Sequence, residues 1–283
     1  MSNLVQRSLS GAVYVAVVVA SILVHPAFFG GVFLIVSMLA TREYMHLRWA
    51  DPVLSAAATM CTGLLFAAVW FGWFGNRETE WLIVVLILVY ILTLGGTLIS
   101  QLFRQAIDPV RNWGDMLVSQ VMIAVPFTLM NCILAAGNWL LLSLFILIWL
   151  NDSGAYCVGS LMSKRKGGNH KMFPRVSPNK SWEGLVGGAI VAVGAAFLLA
   201  HFGCLHALPT PGMPWVSTLL FGLTVVVFGT LGDLMESLLK RTIGVKDSGR
   251  FMPGHGGVLD RFDSVMSVSV FLLFFASRVA LFV

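Results

Sequence analysis

The sequence predicts an all-α, polytopic integral membrane protein of about nine transmembrane helices, with the N-terminus in and the C-terminus out. Three observations predict it. Apolar runs near the length of a bilayer crossing, roughly 20 residues, recur along the whole chain. The chain is 58% hydrophobic and only 11% charged, with a mean hydropathy of +0.87. Soluble domains carry about a quarter charged residues, so a soluble protein with a large core is excluded. The basic residues, finally, fall almost entirely on one side of the predicted spans.

The apolar runs lie at 9–25, 27–41, 53–74, 81–103, 116–136, 138–157, 183–203, 214–238 and 262–282. The first two are divided only by His25 and Pro26, and Pro26 favours a turn between two helices over one long helix. The first run lacks a small-residue cleavage site, so a retained span is expected there and not a removed signal peptide. Trp70, Trp73, Trp81, Trp113, Trp139 and Trp215 sit near run ends, as interfacial anchors do. Cys61, Cys132, Cys157 and Cys204 show no CxxC spacing and give no disulfide framework or zinc site.

With the N-terminus on the cytoplasmic side, 16 of the 18 Lys and Arg residues face the cytoplasm, leaving only Arg77 and Arg278 opposite. The positive-inside rule therefore supports an odd number of spans. Eleven of the 18 crowd into the windows 164–180 and 240–261. Short basic loops between spans, with no soluble domain attached, argue against nucleic acid as a partner. They suit an anionic substrate or a charged membrane surface. Polar chemistry is nearly absent from the early spans. The expected organisation is a plain N-terminal part over 1–115 and a catalytic part over 116–283, with cytoplasmic loops at 158–182 and 239–261.

Four polar constellations interrupt the apolar pattern. Asn151 and Asp152 follow a very apolar run, and a carboxylate inside or at the end of a membrane helix marks a functional site; a helix-end carboxylate reaching water is the alternative. Lys164, Arg165 and Lys166 serve equally well as topology signals. The stretch from Ser177 to Gly184 is more specific. Ser177 or Ser181 can cap the following helix, Pro178 suits a first helical turn, and Glu183 complements the helix dipole. None of this accounts for Lys180, which beside hydroxyls and free helix N–H groups makes an anion site. The third constellation is Asp233, Glu236 and Lys240, three and four residues apart on one helix face. Glu236 and Lys240 form an ordinary helix pair, but Asp233 lies deeper in the apolar run.

The fourth constellation runs from Pro253 to Ser264. Gly254, Gly256 and Gly257 next to a helix start allow backbone N–H groups close to phosphate oxygens. His255 suits phosphate contact or loop ordering. Asp260 and Asp263 share a face of the first helical turn. Hard divalent cations bind through one or two carboxylates plus substrate phosphates, which makes Asp233, Asp260 and Asp263 candidate metal ligands. A glycine-rich loop alone would be weak; with these acids and five basic residues in 28 positions it points to phosphate chemistry.

From Ser237 to Asp263 the chain resembles the signature of the phosphatidate cytidylyltransferases, or CDP-diacylglycerol synthases. Ser237, Lys240-Arg241, Lys246-Asp247, His255-Gly256-Gly257, Asp260-Arg261 and Asp263 stand at the family's spacing, with Met252 where a branched aliphatic is usual. Ser177 to Gly184 and Asn151-Asp152 are similar to two further family motifs. The resemblance implies the reaction CTP + phosphatidate → CDP-diacylglycerol + pyrophosphate, dependence on Mg²⁺ and a homodimer. One or two divalent ions are implied, with a monovalent ion as a further candidate. It also implies a bacterial-type cytoplasmic (inner) membrane with the active site facing the cytoplasm.

The residue chemistry agrees. A lipid phosphate is already an anionic nucleophile, so the task is to hold two anions together. Asp233, Lys240, Lys246, Asp260 and Asp263 are the expected catalytic groups. Asp152, Ser177, Lys180, Arg241, His255, Gly256, Gly257 and Arg261 are the expected substrate contacts. Another CTP- or polyprenyl-phosphate-dependent membrane transferase, a lipid kinase and an anionic-lipid transporter are the alternatives. A transporter would show polar, broken helices in both halves, and here they are confined to one.

Overall fold

The computed structural model describes residues 3–104, 107–165, 168–206, 208, 214–249, 251 and 256–280. They form ten α-helices and one small hairpin: α1 (Asn3–Val24), α2 (Pro26–Leu47), α3 (Pro52–Phe74), α4 (Glu80–Ser100), α5 (Pro109–Ser119), α6 (Val125–Ala136), α7 (Asn138–Ser163), β1 (Lys171–Phe173), β2 (Ser177–Ser181), α8 (Trp182–His201), α9 (Pro214–Ile243) and α10 (Leu259–Ala280). A π-helical segment, Gln120–Ala124, joins α5 to α6, so these two cross as one stretch. Among the described residues, seven helical stretches are long and apolar enough to span a membrane: α2, α3, α4 with its preceding turn, α5–α6, α7, α8 and α9. The other two expected spans correspond to α1, whose apolar part is Ser8–Val24, and to α10.

Proline and a capping side chain set the starts. His25 caps α2 through the Ala27 N–H, Asp51 caps α3 through Val53 and Leu54, and Asp108 caps α5 through Arg111, each followed directly by proline. The cap fills orphan donors while proline supplies a preset φ where no N–H is needed. Ser181 caps α8, its Oγ accepting the Gly184 N–H at 3.1 Å. Pro178, expected in the first turn of that helix, lies instead in β2, because the cap falls at Ser181 and the segment before it pairs antiparallel with β1.

The chain divides into two compact units that do not follow the two halves expected from composition. The first is Met1–Ala135 together with Val245–Phe262. In it α2 packs on α1 and α3, and α3 on α4. Phe29, Phe33, Phe127 and Phe262 form its aromatic core, with Phe29 and Phe33 stacked at 4.2 Å and Phe262 5.4 Å from Phe127. Phe262 thus joins the signature segment to the N-terminal helices. Near the ends of α2 and α5, Arg48 pairs with the buried Asp115 at 2.6 Å.

The second unit is Ala136–Gly244 together with Asp263–Val283. α7 and α8 run antiparallel in close contact, because small residues face each other. A Cβ on Gly188 would lie 2.7 Å from the Asn151 carbonyl oxygen, and one on Gly184 2.9 Å from that of Ala155. Gly184 and Gly188 form the small-x-x-x-small pattern that lets membrane helices approach. α9 packs on α8, with Gly222 against Val193 and Ala196. Gly232 of α9 meets the Asp263 carbonyl and Ser267 on α10 with no room for a side chain.

Candidate active site

A cleft of about 350 Å³ opens within the second unit. α7 lines it with Asn151, Asp152 and Tyr156, β2 with Asn179 and Lys180, and α9 with Thr230 and Asp233. Asp152 lies well inside α7, not at its end, and is exposed toward this opening. Lys180 reaches across to α9. Its Nζ stands 2.7 Å from Asp233 Oδ2 and donates to the Thr230 carbonyl at 3.4 Å. On the other side Asp233 Oδ1 accepts the Ser237 hydroxyl at 3.2 Å, one turn further along. The charged neighbours of the part-buried Asp263 are Asp233, Asp152 and Lys240. Three carboxylates and two ammonium groups from α7, β2, α9 and α10 therefore gather in one electrostatic environment.

Other predicted residues shape the surroundings. Lys240 pairs with the buried Glu236 at 2.5 Å, the ordinary i, i+4 contact. Arg241 donates through Nε to the Val176 carbonyl at 3.4 Å and so ties the hairpin to α9. Ser177 opens β2 opposite Phe173. Glu183 holds the loop before the hairpin: its carboxylate accepts the His170 N–H at 3.0 Å and meets His170 Nδ1 at 2.6 Å.

The signature segment is built within the first unit. Asp260 Oδ2 accepts three hydrogen bonds, from Ser248 N at 2.8 Å, Ser248 Oγ at 2.9 Å and Gly257 N at 2.8 Å. It draws both ends of the loop toward the start of α10. Gly256 has φ +82°, and a Cβ there would lie 2.5 Å from Asp260 Oδ2, so only glycine allows the carboxylate this approach. The Arg261 carbonyl accepts the Tyr14 hydroxyl at 3.3 Å. Lys246 is exposed. His255 lies outside the described residues.

One residue that holds the signature segment went unnoticed in the sequence. Glu43, on α2, accepts the Leu259 N–H at 2.9 Å through Oε2 and lies against Gly249 and Gly257. A carboxylate beside Arg42 near a span end carries no separate signal in a linear reading.

Among the described residues, no three His, Cys, Asp or Glu side chains stand close enough to hold a metal ion by themselves. The donor chemistry around Asp263 is nonetheless suitable for a hard cation: it is carboxylate oxygen, with no thiolate or imidazole in the cleft lining. Such an ion completes its shell with phosphate oxygens and water.

The family model described as the cytidylyltransferase family matches residues 5–279. The chain is 44% identical over 139 residues to the phosphatidate cytidylyltransferase of Haemophilus influenzae, covering 49% of this chain and 46% of that one. It is 48% identical over 129 residues to the Bacillus subtilis protein of the same name, covering 46% and 44%. A third so named, from Staphylococcus aureus, is 40% identical over 154 residues, 54% of each chain. The chain thus spans about half the length of the curated relatives it matches.

Proposed function

We propose, from the premise that this chain belongs to the cytidylyltransferase family, that it converts CTP and phosphatidate into CDP-diacylglycerol and pyrophosphate. The observation that carries this reading is the cleft in which Lys180 crosses to Asp233 beside Asp152. In the reaction a phosphate oxygen of the lipid attacks the α-phosphorus of CTP. A new P–O bond forms, the bond from that phosphorus to the α–β bridging oxygen breaks, and pyrophosphate leaves with the electron pair. Catalysis of such a step is mainly positioning and charge neutralisation.

Lys180 would hold phosphate oxygens of the nucleotide, with Lys240, Arg241, Lys246 and Arg261 as further cations for two polyanions and the departing pyrophosphate. Ser177, Gly256, Gly257 and His255 complete the proposed substrate contacts. Asp233, Asp260 and Asp263 would hold one or two divalent ions such as Mg²⁺, and Asp152 would meet the substrates. When bound, these supply charge neutralisation on phosphate oxygens. A monovalent ion is a further candidate. Asp260, on the same helical turn as Asp263, orders the signature loop.

The same reading has the chain cross a bacterial inner membrane nine times, N-terminus in and C-terminus out, as a homodimer with its site facing the cytoplasm. The placement of 16 of 18 basic residues on one side supports the nine-span orientation. Purified protein reconstituted with phosphatidate, CTP and Mg²⁺ is expected to release CDP-diacylglycerol and pyrophosphate in equal amounts. Phosphorylated lipid with CDP would make it a lipid kinase, and lipid movement without nucleotide turnover a transporter.

A further inference from the structure

We propose that Glu43, on a helix with no part in the signature, is a positioning residue that locks the glycine-rich loop onto the start of α10. The proposal rests on the cytidylyltransferase reading for its kinetic consequence and on geometry for the rest.

Ser248 and the stretch from Gly257 to Leu259 come together at the start of α10. Two carboxylates hold them from two directions. Asp260, from α10 itself, gathers Ser248 and Gly257 through one oxygen. Glu43, from α2, takes the N–H of Leu259, the first residue of α10, at 2.9 Å. The Val258 N–H also donates to it, and the Ser248 hydroxyl, which donates to Asp260, lies beside it. Ser248 is 5% exposed and lies between the two acids, donating to Asp260. Side chains are excluded around Glu43: a Cβ on Gly249 or on Gly257 would collide with its Oε1. The glycines of this segment are therefore needed for the approach of a carboxylate from the same unit, as well as for any approach to phosphate.

A carboxylate suits this position. The N–H groups of Leu259 and Val258 donate to it and the helix start adds a partial positive charge, which offsets the nearby Asp260 carboxylate. An amide of the same size would turn an NH₂ group toward N–H donors and lose one acceptor. Hydrogen bonds to a charged acceptor of this kind are among the strong ones.

The test is Glu43→Gln in the full-length protein in lipid nanodiscs, with two readouts. Amide hydrogen exchange needs no turnover: Gly257, Val258 and Leu259 are expected to exchange faster by about ten- to a hundredfold, while α7–α9 are unchanged. In the activity assay kcat/KM for CTP should fall by a similar factor, with the KM for lipid nearly constant. Glu43→Asp should recover part of both. Gly249→Ala pushes the carboxylate aside without removing it, so it should reproduce both effects and be non-additive with Glu43→Gln; it also stands alone if Glu43→Gln does not fold. Unchanged exchange at 257–259 in these variants overturns the proposal. So does unchanged kcat/KM alongside faster exchange. A wild-type protein that makes no CDP-lipid counts against the enzyme reading, and the exchange result still decides the contact.

Discussion

Lys180 and Asp233 are the pair on which the site turns. Both side chains are partly exposed, 25% and 34%, so their attraction is screened and contributes about 1 kcal/mol or less to stability. Stability alone is thus a poor reason for a lysine to reach from a hairpin to a membrane helix. Lys180→Gln is expected to leave thermal unfolding nearly unchanged and to lower kcat/KM for CTP by roughly a hundredfold. Unfolding monitored in detergent beside steady-state kinetics separates the two. Asp152 and Asp233 stood out in the sequence because a carboxylate inside an apolar run demands a reason, and Lys180 because helix capping accounts for its neighbours but not for it. Glu43 was not, because one acid at a span end reads as an interfacial charge. Asp260 stood out in the sequence, but not its partners: that its Oδ2 gathers Ser248 and Gly257 depends on contacts that spacing does not reveal.

At the level of elements, hydropathy and proline placed the helices well. Pro26, Pro52 and Pro109 each follow a capping residue and open a helix. Two features lay beyond that reading. The π segment at Gln120–Ala124 leaves the apolar pattern intact, so no composition signal announces it. The contact of α7 with α8 was written in Gly184 and Gly188, yet that pattern gains meaning only with the partner helix known. Gly188→Val would set a branched side chain against the Asn151 carbonyl, where even a Cβ stands at 2.7 Å. Backbone cannot yield as a side-chain tip can. The substitution is expected to destabilise the fold by about 1–3 kcal/mol, and to lower activity as well, because Asn151 and Asp152 line the cleft on that same stretch of α7. Gly31, with open space around it, is the control: Gly31→Ala should be near neutral in the same unfolding assay.

Over the whole molecule, the division read from composition, 1–115 against 116–283, differs from the way the chain packs. The segment 245–262 belongs to the same compact unit as the N-terminal helices. Sequence order hides this, because contacts such as Tyr14 with Arg261 and Glu43 with Leu259 join residues more than 200 positions apart. The N-terminal helices therefore pack with the signature segment in one compact unit. The nine-span topology is open to a direct test. In a cysteine-free background, a membrane-impermeant maleimide should label Lys246→Cys from the cytoplasmic face only and Arg77→Cys from the opposite face only. Labelling of both from one face would contradict it.

The central claim is that the lipid phosphate attacks the α-phosphorus of CTP. Protein reconstituted with phosphatidate and Mg²⁺ should be given CTP labelled at the α-phosphate in one reaction and at the γ-phosphate in another. The account predicts α-label in the lipid product and γ-label in pyrophosphate. Label from the γ-phosphate appearing in the lipid would contradict it.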